Sequence, residues 1–128
     1  MKTTPIILSL GSNLNKEEQI RRAASELRAL FPSIQFSTLV QTEAHNCPEG
    51  TPAFLNQIAY AQTDKAAEDV KTLLKQIEQS LGRRKDDKQK GLIPIDLDLL
   101  LWGDLCLKPR DLQRDYVLCG LQELSLSV

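Results

Sequence analysis

Pro94-Ile95-Asp96-Leu97-Asp98-Leu99-Leu100-Leu101-Trp102 is apolar throughout except for two aspartates. A run of this length and character reads as a strand. Side chains two residues apart on a strand share a face, so Asp96 and Asp98 project together and Leu97, Leu99 and Leu101 project the other way. Upstream, Ala66–Leu81 carries Val70, Leu73, Leu74, Ile77 and Leu81 at helical spacing, and Gly82 stands where a helix-ending glycine is expected. Before that helix, Phe54–Gln62 reads as a strand, and His45–Pro52, with Pro48, Gly50 and Pro52, as a loop. Alternation at Ile34, Phe36, Thr38 and Val40 predicts one further strand ending near Thr42. Lys16–Phe31 presents Ile20, Ala23, Ala24, Leu27, Leu30 and Phe31 as an apolar stripe, with Asn13 or Asn15 as its cap and Pro32 as its stop. Ile6–Leu10, ending at Gly11, is a buried strand. Arg83–Gly91 reads as a charged loop, and Asp111–Leu124 as a last short helix. The order is βαββαβ plus a C-terminal helix: an α+β, ferredoxin-like core with two helices on one face of an antiparallel sheet. Residues 1–128 read as one domain.

Sixteen basic and seventeen acidic side chains leave a net charge of −1, which argues against wholesale attraction to nucleic acid or an anionic membrane. Cys47, Cys106 and Cys119 form no CxxC pair, and His45 is the only histidine, so neither a disulfide framework nor a zinc site is suggested. The N-terminus lacks the long apolar region of a signal peptide, and no run approaches the ~20 apolar residues of a membrane span. A soluble, cytoplasmic protein is the expectation.

Asp96 and Asp98, roughly 7 Å apart along a strand, repel each other unless a cation sits between them. Hard oxygen ligands on a rigid strand suit Mg²⁺, which takes much of its shell from water and phosphate oxygens. Two such ions can clamp both ends of a phosphoryl displacement. Alternating Asp and Leu is equally what any half-solvated strand shows. The segment from Gly82 to Gly91 holds five cations and two anions. Alone it is a solvated loop; beside paired carboxylates it favours a nucleotide triphosphate site. Gly11-Ser12-Asn13 lacks the phosphate-loop pattern, and no GxGxxG occurs, so it reads as a turn. Phe54 and Asn56 put a ring and an amide on one strand face, suited to a flat heterocycle, although a buried Phe is ordinarily core.

In order and interval, these pieces resemble the 6-hydroxymethyl-7,8-dihydropterin pyrophosphokinases of folate biosynthesis. The matching segments are Leu10-Gly11-Ser12-Asn13-Leu14, Thr42, Phe54-Leu55-Asn56, Ile77-Glu78, Leu81-Gly82-Arg83, Ile95 through Leu100, Trp102-Gly103 and Tyr116-Val117-Leu118. The resemblance implies transfer of the β,γ-pyrophosphoryl group of ATP to the pterin hydroxymethyl group, releasing AMP, with small molecules as its partners. It implies that Asp96 and Asp98 hold two Mg²⁺ ions on ATP, and that Arg83 and Lys85 face its phosphates. Glu78 and Arg114 would lie on the nucleotide side. Asn56 would bind the pterin edge, Phe54 and Tyr116 its faces or rim, and Thr42 would line that pocket. The chain departs from the family where a Trp-Gly-Pro-Arg-Thr run is usual: here stand Lys90-Gly91-Leu92-Ile93-Pro94, without the phosphate-facing arginine. The Pro-His motif usual before the Arg114 position is missing, since Lys108-Pro109-Arg110 has no histidine, and Thr42-Glu43 is followed by Ala44. The alternative is a catalytically weakened paralogue that binds a pterin or nucleotide. A nucleic-acid-binding module would need the RNP1-type aromatic pattern that such a sheet uses to stack bases, and the sequence lacks it.

Overall fold

The computed structural model describes residues 2–43 and 50–124. Its elements run β1 (Thr4–Ser12), α1 (Lys16–Leu30), β2 (Gln35–Phe36), β3 (Val40–Thr42), β4 (Phe54–Thr63), α2 (Ala67–Ser80), α3 (Asp87–Lys90), β5 (Asp96–Trp102), β6 (Leu105–Cys106), a 3₁₀ turn (Asp111–Gln113) and α4 (Asp115–Glu123). The sheet order is β2-β4-β1-β5-β6, with β3 also on β4, and every pairing is antiparallel. This is the expected α+β, ferredoxin-like arrangement. The loop reading of His45–Pro52 falls mostly outside the described residues, as do His45, Cys47 and Ala44 themselves. No described helix is long and apolar enough to cross a membrane.

β1 is central, so both its faces are covered. Ile6, Leu8 and Leu10 pack with Ile20, Ala23 and Leu27 of α1 and with Val70, Leu74 and Ile77 of α2. On the opposite face Ile7, Ile58 and Leu100 pack against Leu112, Val117 and Leu121. The C-terminal helix is therefore half of a second core. Its docking is close: a Cβ on Gly120 would stand 2.5 Å from Ile58 Cγ1, so only glycine lets the helix approach the sheet at that point.

Four expectations need correction. The strand from Ile34 to Thr42 is two short strands. Ser37 Oγ accepts from the Ile58 amide at 3.0 Å, and the Thr38 amide turns away to donate to Glu123 at 2.9 Å. Leu101 does not share a face with Leu97 and Leu99. The register slips between Ile7 and Leu8, and the resulting bulge puts Leu100 and Leu101 on the α4 side. Arg83–Gly91 is not all loop, because Asp87–Lys90 forms a helical turn. Finally, Asn15 does stand at the N-cap of α1, but in the left-handed region at φ 49° and without a side-chain cap bond, and Asn13 is engaged elsewhere.

Asn13 is 5% exposed. Its Nδ2 donates to Gly91 O at 2.7 Å and to Pro52 O at 3.2 Å, and its Oδ1 accepts from the Ile93 amide at 2.6 Å. A buried amide so fully paired pins the loop ahead of β5 onto the end of β1. Ile93 is itself 3% exposed.

Candidate active site

A cavity of about 890 Å³ opens where β1 runs out at Gly11, between the ends of β3, β4 and β5, the side of α2 and the segment leading into α4. Its two halves are built differently.

One half is hydrogen-bonded and nearly neutral. Asn56, 7% exposed, donates through Nδ2 to Thr42 Oγ1 at 2.6 Å and to Val40 O at 3.3 Å. The side chain thus ties β3 to β4 and holds its own amide plane still. Gly11 lies opposite Asn56 in the β1–β4 register. A Cβ there would come within 3.3 Å of Asn56 Oδ1 and 3.9 Å of the Phe54 ring, so the glycine leaves room in front of both. Tyr116 borders the same space, as does Ser9. Burial pushes the Tyr116 phenol pKa up, against the opposing pull of Arg114 and the neighbouring Ser9.

The other half is ionic. Asp96 and Asp98 stand on β5 opposite Gly11 and Ser9, on the face away from Leu97 and Leu99, as their spacing predicted. Arg83 Nη1 donates to Asp96 Oδ1 at 3.2 Å and to Ile95 O at 3.0 Å, and lies 3.5 Å from Glu78 Oε2. Its Nε pairs with Asp87 Oδ2 at 3.6 Å. The backbone that delivers it follows from Gly82. At φ +100° this residue ends α2 in a Schellman turn, with Gly82 N bonded to Gln79 O and Arg83 N to Glu78 O. Glu78 Oε2 accepts from the Leu97 amide at 2.7 Å. Burial raises the Glu78 pKa to about 7, with Asp96 and Asp98 adding to the shift and the Leu97 bond and Arg83 opposing it. Arg114 reaches the cavity rim, its Nε held by Asp111 at 2.9 Å.

Nine of the ten residues singled out from the sequence thus meet in one space: Thr42, Phe54, Asn56, Glu78, Arg83, Asp96, Asp98, Arg114 and Tyr116. Lys85 does not; it is exposed and away from the cavity wall. Lys71, Lys75 and Lys108 line it instead. The first two share a helix face with Glu78 at i, i+4 and i+7, a signal present in the sequence. Asp87 carried no such signal, since it looks like one more polar residue in a polar stretch, and Asn13 read as turn chemistry without its buried partners.

Among the described residues, no group of three or more His, Cys, Asp or Glu side chains could enclose a metal. Two carboxylates on one strand face, open to a cavity, fit a different ion. Mg²⁺ binds through one or two carboxylates and completes its octahedron with water and substrate phosphates.

Comparison with known proteins bears on this arrangement. Residues 7–126 match the model of the family described as 7,8-dihydro-6-hydroxymethylpterin-pyrophosphokinase. The chain is 35% identical to a folate synthesis bifunctional protein of Chlamydia caviae over 77% of its own length and 24% of that protein's. It is 28% identical to a folate synthesis bifunctional protein of Arabidopsis thaliana over 93% of this chain and 26% of that one. It therefore spans about a quarter of the length of these relatives. The C-terminal domain of the MgtC protein from Mycobacterium tuberculosis shares 8% identity at a TM-score of 0.41, covering 76% of this chain and 87% of that one, a likeness from which nothing about the site follows.

Proposed function

This chain belongs to the 7,8-dihydro-6-hydroxymethylpterin-pyrophosphokinase family, and on that premise we propose that it transfers the β,γ-pyrophosphoryl group of ATP to 6-hydroxymethyl-7,8-dihydropterin, releasing AMP. The observation that carries the reading is the two-part cavity. A rigid amide beside an aromatic ring suits a flat, hydrogen-bonding heterocycle, and the paired aspartates with Arg83 suit a polyphosphate. Placing the two in one space brings the hydroxymethyl oxygen of one ligand to the β-phosphorus of the other.

Asn56 and Thr42 fix the pterin edge, and Phe54 and Tyr116 hold its faces or rim. Asp96 and Asp98 would hold Mg²⁺, which when bound supplies charge neutralisation at the phosphate oxygens. Arg83 and Arg114 contribute positive charge to the nucleotide, and Glu78 fixes the edge of β5 beside it. Lys85, on the exposed part of the same loop, is a phosphate contact only if that loop closes. The work of these residues is positioning and electrostatic stabilisation, which is where phosphoryl-type transfer gains most of its rate.

The test is AMP formation from ATP and Mg²⁺, with and without the pterin. AMP that appears only with pterin supports the reading. A chain that binds pterin by calorimetry yet makes no AMP would instead be a weakened paralogue serving as a binding module. The buried Ile93, where the resemblance expects a phosphate-facing arginine, favours that second reading.

A further inference from the structure

Asp87 is the one acidic side chain of the charged segment that is buried: it is 7% exposed, whereas Asp86 beside it is exposed and pairs with Lys90 at 3.0 Å. A carboxylate taken out of water is costly unless it is paired and hydrogen-bonded, and Asp87 has both kinds of partner. Its Oδ2 accepts from the Arg84 amide at 2.7 Å and faces Arg83 Nε at 3.6 Å. Arg83 in turn is four-fifths buried and offers its Nη1 end to Asp96, Ile95 O and Glu78. The guanidinium is a planar fork, so fixing it at Nε sets where the far nitrogens point. Asp87 is the contact on the Nε side; Asp96 and Glu78 are on the Nη1 side.

We propose that Asp87 is a positioning residue that holds the Arg83 guanidinium against the Asp96 end of the cavity, and so sets the nucleotide grip of this chain. The proposal rests on the reading that Arg83 meets the phosphates of ATP. It also gives the helical turn at Asp87–Lys90 a purpose: the turn carries a carboxylate back onto the arginine that precedes it. Ile93 is buried and uncharged, and Arg83 is bonded directly to Asp96, so the orientation of this guanidinium bears on that end of the cavity.

The test is a double-mutant cycle of Asp87→Asn and Arg83→Gln, with Asp87→Ser as a second replacement. Both substitutions at 87 keep an acceptor for the Arg84 amide and remove the charge, so the turn has what it needs to form. Asp87→Asn should raise KM for ATP roughly tenfold, as loss of a charge-assisted contact does, and leave KM for the pterin unchanged. In the Arg83→Gln background the same substitution should change KM for ATP less than about twofold. An equal effect in both backgrounds, for Asn and Ser alike, would mean that Asp87 serves only the turn and would overturn the proposal. A wild-type chain that makes no AMP would sink the pyrophosphokinase reading, and the inference would then be read without turnover. The Arg83 Nε–H resonance should be protected from exchange in the wild type and exposed in Asp87→Asn, and an unchanged resonance would defeat it.

Discussion

The hydrogen-bonded half and the ionic half of the cavity are made rigid by opposite means. Around Asn56 the contacts are short hydrogen bonds to a hydroxyl and a backbone carbonyl, all within two paired strands. Around Arg83 they are ion pairs from α2, α3 and β5, three consecutive elements of the chain. A neutral hydrogen-bonded wall changes little with pH or salt, whereas carboxylates crowded about one guanidinium do. The contrast suits the two ligands proposed: a flat neutral ring needs a fixed shape, and a polyanion needs charge that its own binding can rearrange.

The largest expected effect is in the ionic half. Asp96→Ala should cut pterin-dependent AMP formation by at least ~10³-fold, the scale of several kcal/mol that metal-held charge contributes. Because the Asp96 side chain is 37% exposed, the melting temperature should hardly move. Retained activity would remove the reason for treating the two halves as different.

Glu78 comes next. Its carboxyl is raised to about 7 in the folded chain from an ordinary 4.5, so between those values the folded state binds more protons than the unfolded one. The stability this provides is full below about pH 4.5 and is lost as pH rises through 7, on the order of 3 kcal/mol in all. Glu78→Gln, which keeps an acceptor for the Leu97 amide, should therefore flatten the decline in urea-unfolding stability between pH 5 and pH 8. Parallel wild-type and mutant profiles would show that the crowding costs nothing.

Gly120→Ala strikes the neutral half through its support. A Cβ 2.5 Å from Ile58 must push back the helix that carries Tyr116, at about 2 kcal/mol in overpacking, readable as a fall in the urea midpoint. The smallest effect is Gly11→Ala. Its Cβ, 3.3 Å from Asn56 Oδ1, should weaken pterin binding about tenfold (on the order of 1.4 kcal/mol) with little change in ATP binding. Equal losses for both ligands would blur the division.

What could be read from the sequence follows the same physical line. Strands β1, β4 and β5 and helices α1 and α2 are long and strongly periodic, and the alternation around Asp96 and Asp98 assigns them a face without any knowledge of neighbours. The interruption of the second strand was hidden because it depends on Glu123, 85 residues from Thr38. The flip of Leu101 depends on a slip in pairing with β1, which periodicity along β5 alone cannot reveal. Arg83, Glu78 and Asp96 were legible as site residues, but Asp87 on the Nε side of the arginine was not, since Asp86 and Asp87 are identical neighbours and only the fold buries one of them. Asn13 likewise reads as turn chemistry, and its three partners lie 39 to 80 residues away.

The central claim is that two ligands occupy the two halves at once. Calorimetric titration of 6-hydroxymethyl-7,8-dihydropterin into the chain already saturated with Mg²⁺ and the α,β-methylene analogue of ATP tests it most directly. The account predicts one pterin bound per chain, with affinity at least equal to that of the nucleotide-free protein. Competition between the two, with pterin binding suppressed in proportion to the analogue, would contradict it.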